Sequence, residues 1–225
     1  MKRTRWAVLA AMAVLVAGVA VPANAAVSIA VNGSAALQGS FGMQVTFNNT
    51  TGDAYVQDNS PNNEAVYYAS FRLRNDNVSG PMTLNSLKSV NIMNGYVDEP
   101  AGTVKSFRVQ LINTTVNTGN PEMAIQAFPG IDSPVGGFGP RAATFVKAGS
   151  HQYTVEVRTA ASGVSADGLI KIYRDAVLRN TKSGLQNFTA KTNMVRLGGL
   201  GGNNSQFANG LLDLDDFVST RTAQF

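Results

Sequence analysis

The sequence contains no cysteine, one histidine and one tryptophan, and charged residues make up only 14% of its 225 residues. Without cysteine the chain can form no disulfide bonds, and the Cys- and His-based metal sites are excluded for want of ligands. A chain of this kind must be stabilised by its hydrophobic core. The part of the chain that follows the N-terminal segment is long enough to build such a core as one domain.

No long apolar run is found beyond the N-terminal segment, which has the features of a secretory signal peptide. Three basic residues, Lys2, Arg3 and Arg5, precede an uncharged apolar run from Trp6 to Val21, and Ala23-Asn24-Ala25 is a small-x-small cleavage site. The apolar run is shorter than the ~20 residues that a membrane-spanning helix needs. We therefore predict cleavage near Ala25, a secreted or periplasmic protein, and no membrane span in the mature chain.

Clusters of basic residues are also missing. Removing the predicted signal peptide takes away three basic residues and lowers the formal net charge from +4 to +1. The high isoelectric point thus belongs partly to that segment, and the rest of the chain has no basic patch of the kind that binds nucleic acid. We predict no nucleic-acid partner, and the composition leaves the oligomeric state open.

What the chain does contain is a series of short segments with alternating apolar residues, typical of β-strands. No segment sustains a helical period, and turn-forming residues separate the alternating segments. About a dozen strands at this spacing predict an all-β fold, a two-sheet antiparallel β-sandwich or barrel, in one domain covering 26–225. The predicted core faces include Tyr67, Ala69, Phe71 and Leu73; Phe107, Val109 and Leu111; and Tyr153, Val155 and Val157.

Glycine and asparagine mark the predicted connections. Asn94-Gly95 is typical of a type I′ hairpin turn that would end a strand over 84–93. Arg174-Asp175-Ala176 predicts a tight reversal, after which the chain pairs back. The segment 198–210, rich in Gly and Asn, is predicted to be a flexible loop, and it meets neither the G-x-G-x-x-G nor the G-x-x-x-x-G-K nucleotide-binding pattern.

Four segments of the C-terminal third together resemble a known family. They are HQYTV at 151–155, DGLIKIYRDA at 167–176, VRLG at 195–198 and GLLDLDDF at 210–217. Their order is similar to that in the concanavalin A-like lectin/glucanase jelly rolls, closest to the laminin-G-like and lectin-like bacterial exported versions. Two positions depart from the family pattern: Ser150 replaces the usual tryptophan, and Ala176 replaces the usual glycine.

The resemblance implies a jelly-roll sandwich whose concave face binds or cleaves polysaccharides. Glucanases of this fold carry an E-x-D-x-E strand, the two-carboxylate arrangement that glycoside hydrolysis needs, and this chain has none. Its alginate-lyase relatives need a Gln-x-His pattern, but here the order is His151-Gln152. The lone His151 is therefore predicted to be a strand-start residue at the sheet rim, since no orienting group or reacting partner is identifiable.

On these grounds the sequence predicts an exported, non-catalytic protein that binds a polysaccharide or surface glycan. The candidate ligand-binding residues are Tyr68 and Arg72, on one face of the strand over 65–74, and Arg108, on the polar face of the strand over 106–113. Because Trp6 is lost with the signal peptide, the indole platform that commonly stacks on sugars is absent. Two alternatives stay open: a polysaccharide hydrolase or lyase of the same fold, and a structural envelope protein without a small ligand.

Asp213, Asp215 and Asp216 form the only acidic cluster that suggests a metal. Oxygen ligands suit Ca²⁺, so these carboxylates are the candidate calcium ligands, and no other cofactor is predicted. The competing interpretation is that Asp213 and Asp215 are solvated residues on one face of the last strand. Asp216 would then pin the closing turn, and a β-bulge could reorient it.

Overall fold

The structure, a computed structural model, describes residues 27–76, 79–97, 104–114, 123–132 and 138–223. The predicted signal peptide, Met1–Ala25, lies outside the described residues. Within them, no helix is long and apolar enough to cross a bilayer. The strands are β1 (Val27–Asn32), β2 (Gly42–Asn48), β3 (Gly52–Asp58), β4 (Val66–Arg74), β5 (Thr83–Leu84), β6 (Ser89–Tyr96), β7 (Lys105–Asn113), β8 (Met123–Pro129), β9 (Ala142–Phe145), β10 (His151–Arg158), β11 (Gly168–Arg174), β12 (Val177–Leu185), β13 (Met194–Gly202) and β14 (Ala208–Thr220).

These strands form two sheets, and within each sheet every pair of neighbouring strands is antiparallel. The eight-stranded sheet has the order β1-β2-β14-β4-β10-β11-β12, with β5 paired to β14. The six-stranded sheet has the order β3-β13-β6-β7-β8-β9. The prediction of an all-β, two-sheet antiparallel sandwich is confirmed.

The core lies between the two sheets and is built from the predicted alternating residues. Tyr67 on β4 contacts Phe107 on β7 with ring centroids 5.9 Å apart, so an aromatic pair joins the two sheets. The ten predicted core-face residues are all buried in one cluster. Burying side chains of this size contributes roughly 1.5–3 kcal/mol each, which is how a chain without disulfides can be stable.

One predicted turn is wrong, and core packing explains the error. Asn94-Gly95 lies inside β6 rather than at a hairpin end, and the predicted strand over 84–93 is divided between β5 and β6. Gly95 is the Cα partner of Phe107, and a Cβ on Gly95 would lie only 2.2 Å from the Phe107 ring. Glycine is needed at this position to make room for a core aromatic side chain, and Asn94-Gly95 does not form a turn.

The predicted flexible loop over 198–210 is also wrong. β13 continues to Gly202, a short 3-10 helix covers Asn203–Phe207, and β14 begins at Ala208. A Cβ on Gly199 would lie 2.6 Å from Val27 and 3.2 Å from Phe47, both on the facing sheet. The glycines of this segment therefore let the two sheets approach each other.

Candidate functional site

The outer face of the six-stranded sheet carries a row of polar side chains in register. Arg196 on β13, Asn94 on β6, Arg108 on β7 and Phe128 on β8 are successive Cα partners, and Gln57 on β3 is the partner of Arg196. Residues paired in this way point to the same face of a sheet. We call this surface, together with Tyr96 and Lys105, the Arg108 site.

Two β-bulges in the β6–β7 pair bring the key residues to this face. The register shifts between Asn91 and Met93, so that Asn94 and Tyr96 point outward while Met93 joins the core. A second shift, next to Gly95, makes Lys105 the partner of Tyr96. Because an extra residue in a strand reverses the alternation beyond it, the two bulges place Tyr96 and Lys105 beside the polar row.

Arg108 is held between two aromatic rings and lacks a hydrogen-bond partner at one nitrogen. Its guanidinium carbon lies 4.5 Å from the ring centroid of Phe128 and 4.2 Å from that of Phe138. Its Nε is buried, and within the described part of the chain it has no acceptor. Desolvation by burial lowers the pKa of the Arg108 guanidinium, which remains charged near neutral pH. A buried N–H of a cation without an acceptor calls for an explanation, and an anionic ligand would supply the missing acceptor.

Asn94, the cross-strand neighbour of Arg108, is also incompletely satisfied. Its amide nitrogen donates a 3.2 Å hydrogen bond to the hydroxyl of Tyr96, but its buried Oδ1 has no partner among the described residues. Leaving a buried acceptor unpaired costs roughly 1–3 kcal/mol. The site thus places an unpaired donor and an unpaired acceptor on adjacent strands, where one hydroxyl- and carboxylate-bearing ligand can satisfy both.

Lys105 is electrostatically coupled to this pair. Desolvation by burial, followed by the positive charge of Arg108, lowers the pKa of the Lys105 amine, while the carboxylate of Asp53 acts in the opposite direction. A lowered pKa increases the fraction of neutral amine near neutral pH. More of the Lys105 amine is therefore in the unprotonated form that a general base needs.

The rest of the face offers cation, ring and amide groups suited to a sugar chain. Arg196 lies 4.5 Å from the ring centroid of Tyr55 and 4.9 Å from that of Tyr96. Gln110 on β7 donates a 3.1 Å hydrogen bond to Gln126 on β8, and both side chains are buried. Several polar groups therefore converge on one sheet face.

Two of the three predicted ligand-binding residues lie elsewhere. Tyr68 and Arg72 are on the outer face of the eight-stranded sheet, whereas Arg108 is on the six-stranded sheet, so the three cannot form one site. The Tyr68 hydroxyl accepts a 3.2 Å hydrogen bond from Arg158, and Arg72 donates one to Gln38 and lies 3.7 Å from Asp216. Ligand binding by Tyr68 and Arg72 stays a prediction.

The polar groups near Tyr68 are satisfied by one another. Glu156 on β10 is only 1% exposed, and its carboxylate accepts a 2.7 Å hydrogen bond from the Tyr173 hydroxyl and pairs with Arg158 and Lys171. Burial alone would raise the pKa of Glu156, but the Tyr173 hydrogen bond and the two cations lower it. Within the described part of the chain, each of these four side chains is paired with another member of the network.

The three aspartates of the candidate calcium site each have protein partners. Asp213 is fully buried and accepts hydrogen bonds from Arg74 at 2.7 and 3.0 Å. Asp215 accepts hydrogen bonds of 2.8 Å from the backbone N–H groups of Leu37 and Gln38. Although burial alone would raise the pKa of Asp215, these backbone hydrogen bonds lower it.

A bulge does reorient Asp216, which has φ 53° and approaches Arg72. Among the described residues, no group of three carboxylate, histidine or cysteine side chains could hold a metal ion. The calcium prediction is therefore unsupported by the geometry of the described residues and stays a prediction.

His151 begins β10 at the sheet rim, as predicted. Its Nδ1 lies 2.7 Å from the Asp175 carboxylate and its Nε2 lies 3.0 Å from the carbonyl oxygen of Ala148. Both ring nitrogens face acceptors, so the imidazole binds the β10 start to the β11–β12 turn and has no free nitrogen to act as a base.

Sequence reasoning identified Arg108 but missed Asn94, Lys105 and Arg196 as members of a site. The alternation of β7 placed Arg108 on the polar face, and that part of the interpretation agrees with the structure. Asn94 was interpreted as a turn residue, and Lys105 lay outside the predicted strand over 106–113. The indication that the sequence offered for the site was Asn94, a polar residue next to Gly95, the glycine that packs against Phe107 in the core.

The sequence matches no protein-family model and no curated protein. The fold is similar to that of an endo-β-1,4-glucuronan lyase from the fungus Trichoderma reesei, with TM-score 0.61 and 13% identity over 88% of this chain and 89% of that chain. It is also similar to a mutant of the alginate lyase Aly36B in complex with alginate tetrasaccharide, with TM-score 0.50 and 12% identity over 80% and 81%. A third neighbour is the cellulose-induced protein Cip1, with TM-score 0.51 and 14% identity over 88% of each chain.

These neighbours contradict the prediction of a non-catalytic protein. That prediction depended on the missing E-x-D-x-E triad and the missing Gln-x-His pattern, whereas two neighbours that span most of the chain are lyases. A fold can support catalysis through different residues, so missing motifs do not exclude an enzyme. The likeness is consistent with a concanavalin A-like fold, and the chain has the β-sandwich fold found in proteins that act on polysaccharides.

Proposed function

We propose that the protein is a polysaccharide lyase that cleaves a uronate-containing polysaccharide at the Arg108 site. The observation that carries the proposal is the adjacent pair of unpaired buried groups, Arg108 Nε and Asn94 Oδ1, beside Tyr96 and Lys105. Two structural neighbours, a glucuronan lyase and an alginate lyase, act on uronate polymers, which supports the same substrate class here.

Arg108 would bind the carboxyl group of the uronate at the cleavage point, and the unpaired Asn94 Oδ1 would accept a hydrogen bond from a hydroxyl group of the same sugar. A lyase must make the hydrogen on C5, next to this carboxyl group, acidic enough to be removed. A fixed cation at the carboxyl group stabilises the negative charge that develops there, and such a preorganised group acts strongly in a water-poor site. The aromatic rings on both sides of Arg108 hold its guanidinium in place for this role.

Lys105 and Tyr96 would move the protons. The neutral Lys105 amine takes the proton from C5, and the electron pair of that C–H bond forms the C4=C5 double bond. The C4–O glycosidic bond breaks, and the Tyr96 hydroxyl gives its proton to the leaving oxygen. Proton return from the Lys105 ammonium to the Tyr96 phenolate restores the site, and the product is an unsaturated uronate.

The first experiment measures product formation on glucuronan and alginate by the ultraviolet absorbance of the unsaturated uronate. We expect Tyr96→Phe to lower kcat about 100-fold or more, because positioned acid–base groups typically contribute this much. The matched control is Tyr68→Phe, which removes a hydroxyl from the other sheet and is expected to retain the wild-type kcat. The absence of product from the wild type on both polymers, or an equal loss in both variants, would overturn the proposal.

Arg108→Gln separates carboxylate binding from proton transfer. This variant removes the charge that neutralises the uronate but keeps Tyr96 and Lys105, so it is expected to lose both substrate affinity and turnover. Equilibrium binding of a uronate oligosaccharide measures the first and the absorbance assay the second. Unchanged binding by Arg108→Gln would place the carboxyl group elsewhere.

We further propose that the protein is exported, so that it meets polysaccharide outside the cytoplasm. The support is the basic start, the apolar run and the small-x-small site of the first 25 residues.

A further inference from the structure

A second polar cavity lies next to the Arg108 site, at the edge strand β9. It has a volume of about 440 Å³ and is lined by residues from both sheets. Four of its lining side chains are cationic: Arg141 and Lys147 flank β9, Arg174 ends β11 and Arg179 lies on β12. No carboxylate is among its lining residues. We call it the basic cavity.

The positive charge of the basic cavity is only partly offset by nearby acids. Among the described residues, none of the four cations forms an ion pair, although the Asp175 carboxylate interacts electrostatically with Arg174. The Arg174 guanidinium is held in place because it donates a 2.9 Å hydrogen bond to the carbonyl oxygen of Phe145. Four cations around one cavity, with Asp175 offsetting part of the charge of Arg174, create a local field that attracts anions.

The basic cavity adjoins the Arg108 site along the sheet. Gln126 lines the cavity and accepts the hydrogen bond from Gln110, which is two residues from Arg108 on β7. β7, β8 and β9 are successive neighbours, so Arg108 and β9 are separated by roughly 10 Å at ~4.8 Å per strand. Phe145, whose surface is 51% exposed, adds a ring to the cavity wall.

We propose that the basic cavity is a second subsite that binds a carboxylate of the same polysaccharide chain, on a different sugar ring from the one that is cleaved. This inference rests on the proposed function, because it takes the uronate polymer as the ligand. It adds that the substrate is a polyanion of some length, since the cations would be of no use to a neutral glucan. A carboxylate and a sulfate would both satisfy these cations, and the test distinguishes them.

The test compares binding of a long polyuronate with binding of a uronate monosaccharide, both in the Tyr96→Phe background so that the ligand stays intact. The variant Arg141→Gln/Arg179→Gln is expected to raise the Kd for the long polymer about three- to tenfold at low salt, because each exposed ion pair contributes modestly. The Kd for the monosaccharide at the Arg108 site, which is too short to reach both sites, is expected to be unchanged. The loss should shrink as salt rises.

Lys182→Gln is the matched control, because it removes a cation from β12, the strand of Arg179, at a position that does not line the cavity. An unchanged polymer Kd in the double variant, or an equal loss in Lys182→Gln, would overturn the inference. A sulfated neutral glucan forms the second arm. If its Kd rises in the double variant while that of the polyuronate does not, the carboxylate assignment is wrong.

The lyase assay keeps this inference separate from the proposed function. If the wild type binds the polymer through Arg141 and Arg179 but forms no unsaturated product, the subsite proposal stands and the lyase proposal is overturned. If the wild type and the double variant form product with the same dependence on polymer length, the lyase proposal stands and the subsite proposal is overturned.

Discussion

At the scale of single residues, the six-stranded sheet holds buried polar groups whose missing hydrogen-bond partners lower the stability of the fold. Arg108 is desolvated between Phe128 and Phe138, and its Nε has no acceptor among the described residues. Asn94 adds an unpaired acceptor on the next strand. On the other sheet, the buried Asp213 and Glu156 are paired, but Tyr67 Oη and Ser219 Oγ also lack partners among the described residues. What favours the six-stranded sheet as the functional one is that its two unpaired groups lie side by side on adjacent strands.

Lys105 leads to a prediction about pH. Desolvation and Arg108 lower the pKa of Lys105, and Asp53 opposes them, so Asp53→Asn should lower that pKa further. If the neutral amine is the base, activity rises as Lys105 loses its proton, and the rising limb of kcat/KM should move to lower pH in Asp53→Asn. A pH series of the lyase assay measures this shift.

Asparagine at position 53 can still accept the backbone hydrogen bond from Gly202, so the fold is expected to be unaffected. Asp58→Asn, on the same strand, is the control and should leave the profile in place. A rising limb that stays in place in Asp53→Asn, or moves to higher pH, would exclude Lys105 as the base.

The residues of the site could be predicted from the sequence only in part. Arg108 follows from the alternation of β7, because the face opposite Phe107, Val109 and Leu111 had to be polar. Whether a polar side chain on that face is buried or unpaired depends on neighbouring strands, which the sequence pattern does not describe. Tyr68 and Arg72 illustrate the limit, since their alternation was interpreted correctly but the face they share belongs to the other sheet.

At the scale of elements, strand positions were predictable and strand irregularities were not. The alternating core faces of β4, β7 and β10 agree with the sequence pattern, because burial between two sheets imposes a period of two. The bulges of β6–β7 depend on how two strands pair, and a single strand carries little information about that. Asn94 and Tyr96 face outward only because of such a bulge.

The turn between β11 and β12 was predicted as a tight reversal and has the geometry expected for one. Its two central residues, Asp175 and Ala176, both have left-handed backbones, with φ of 52° and 62°. Two-residue hairpin loops of this kind need positive φ at both positions, which glycine adopts most easily. Alanine at the second position therefore stores strain.

Ala176→Gly is predicted to raise the free energy of unfolding by about 0.5–1 kcal/mol. The gain from relieving the left-handed alanine exceeds the cost of a more flexible unfolded chain. Urea denaturation measures the difference. Ala166→Gly, at an exposed loop position without a positive φ, is the matched control and should lower stability by a similar amount. Destabilisation by Ala176→Gly would show that the turn is unstrained.

At the scale of the whole molecule, the outer faces of the two sheets differ. The eight-stranded sheet holds its outer face together with ion pairs such as Arg74–Asp213, while the six-stranded sheet exposes the Arg108 site and adjoins the basic cavity. The fold class followed from the number and spacing of short alternating segments. The sheet on which the Arg108 site lies did not, because both sheets have polar outer faces.

Export is predicted to remove the first 25 residues. When the full chain is expressed in a bacterial host with a secretory pathway, N-terminal sequencing of the exported protein is expected to begin at Ala26. Replacing Ala23 and Ala25 with bulky residues should block processing, because the cleavage site needs small side chains. An uncleaved chain that stays in the cytoplasm would contradict the prediction.

The position of β14 affects the order in which the molecule can assemble. This strand lies between β2 and β4 in the eight-stranded sheet, yet it follows every other strand in the chain. Before it is added, β1–β2 and β4–β10–β11–β12 are two separate ribbons, and the core lacks Leu212 and Leu214. Pairings so distant in sequence form slowly. The chain is thus expected to remain unfolded until its last strand is available, a delay that would suit a protein threaded through a membrane before it folds.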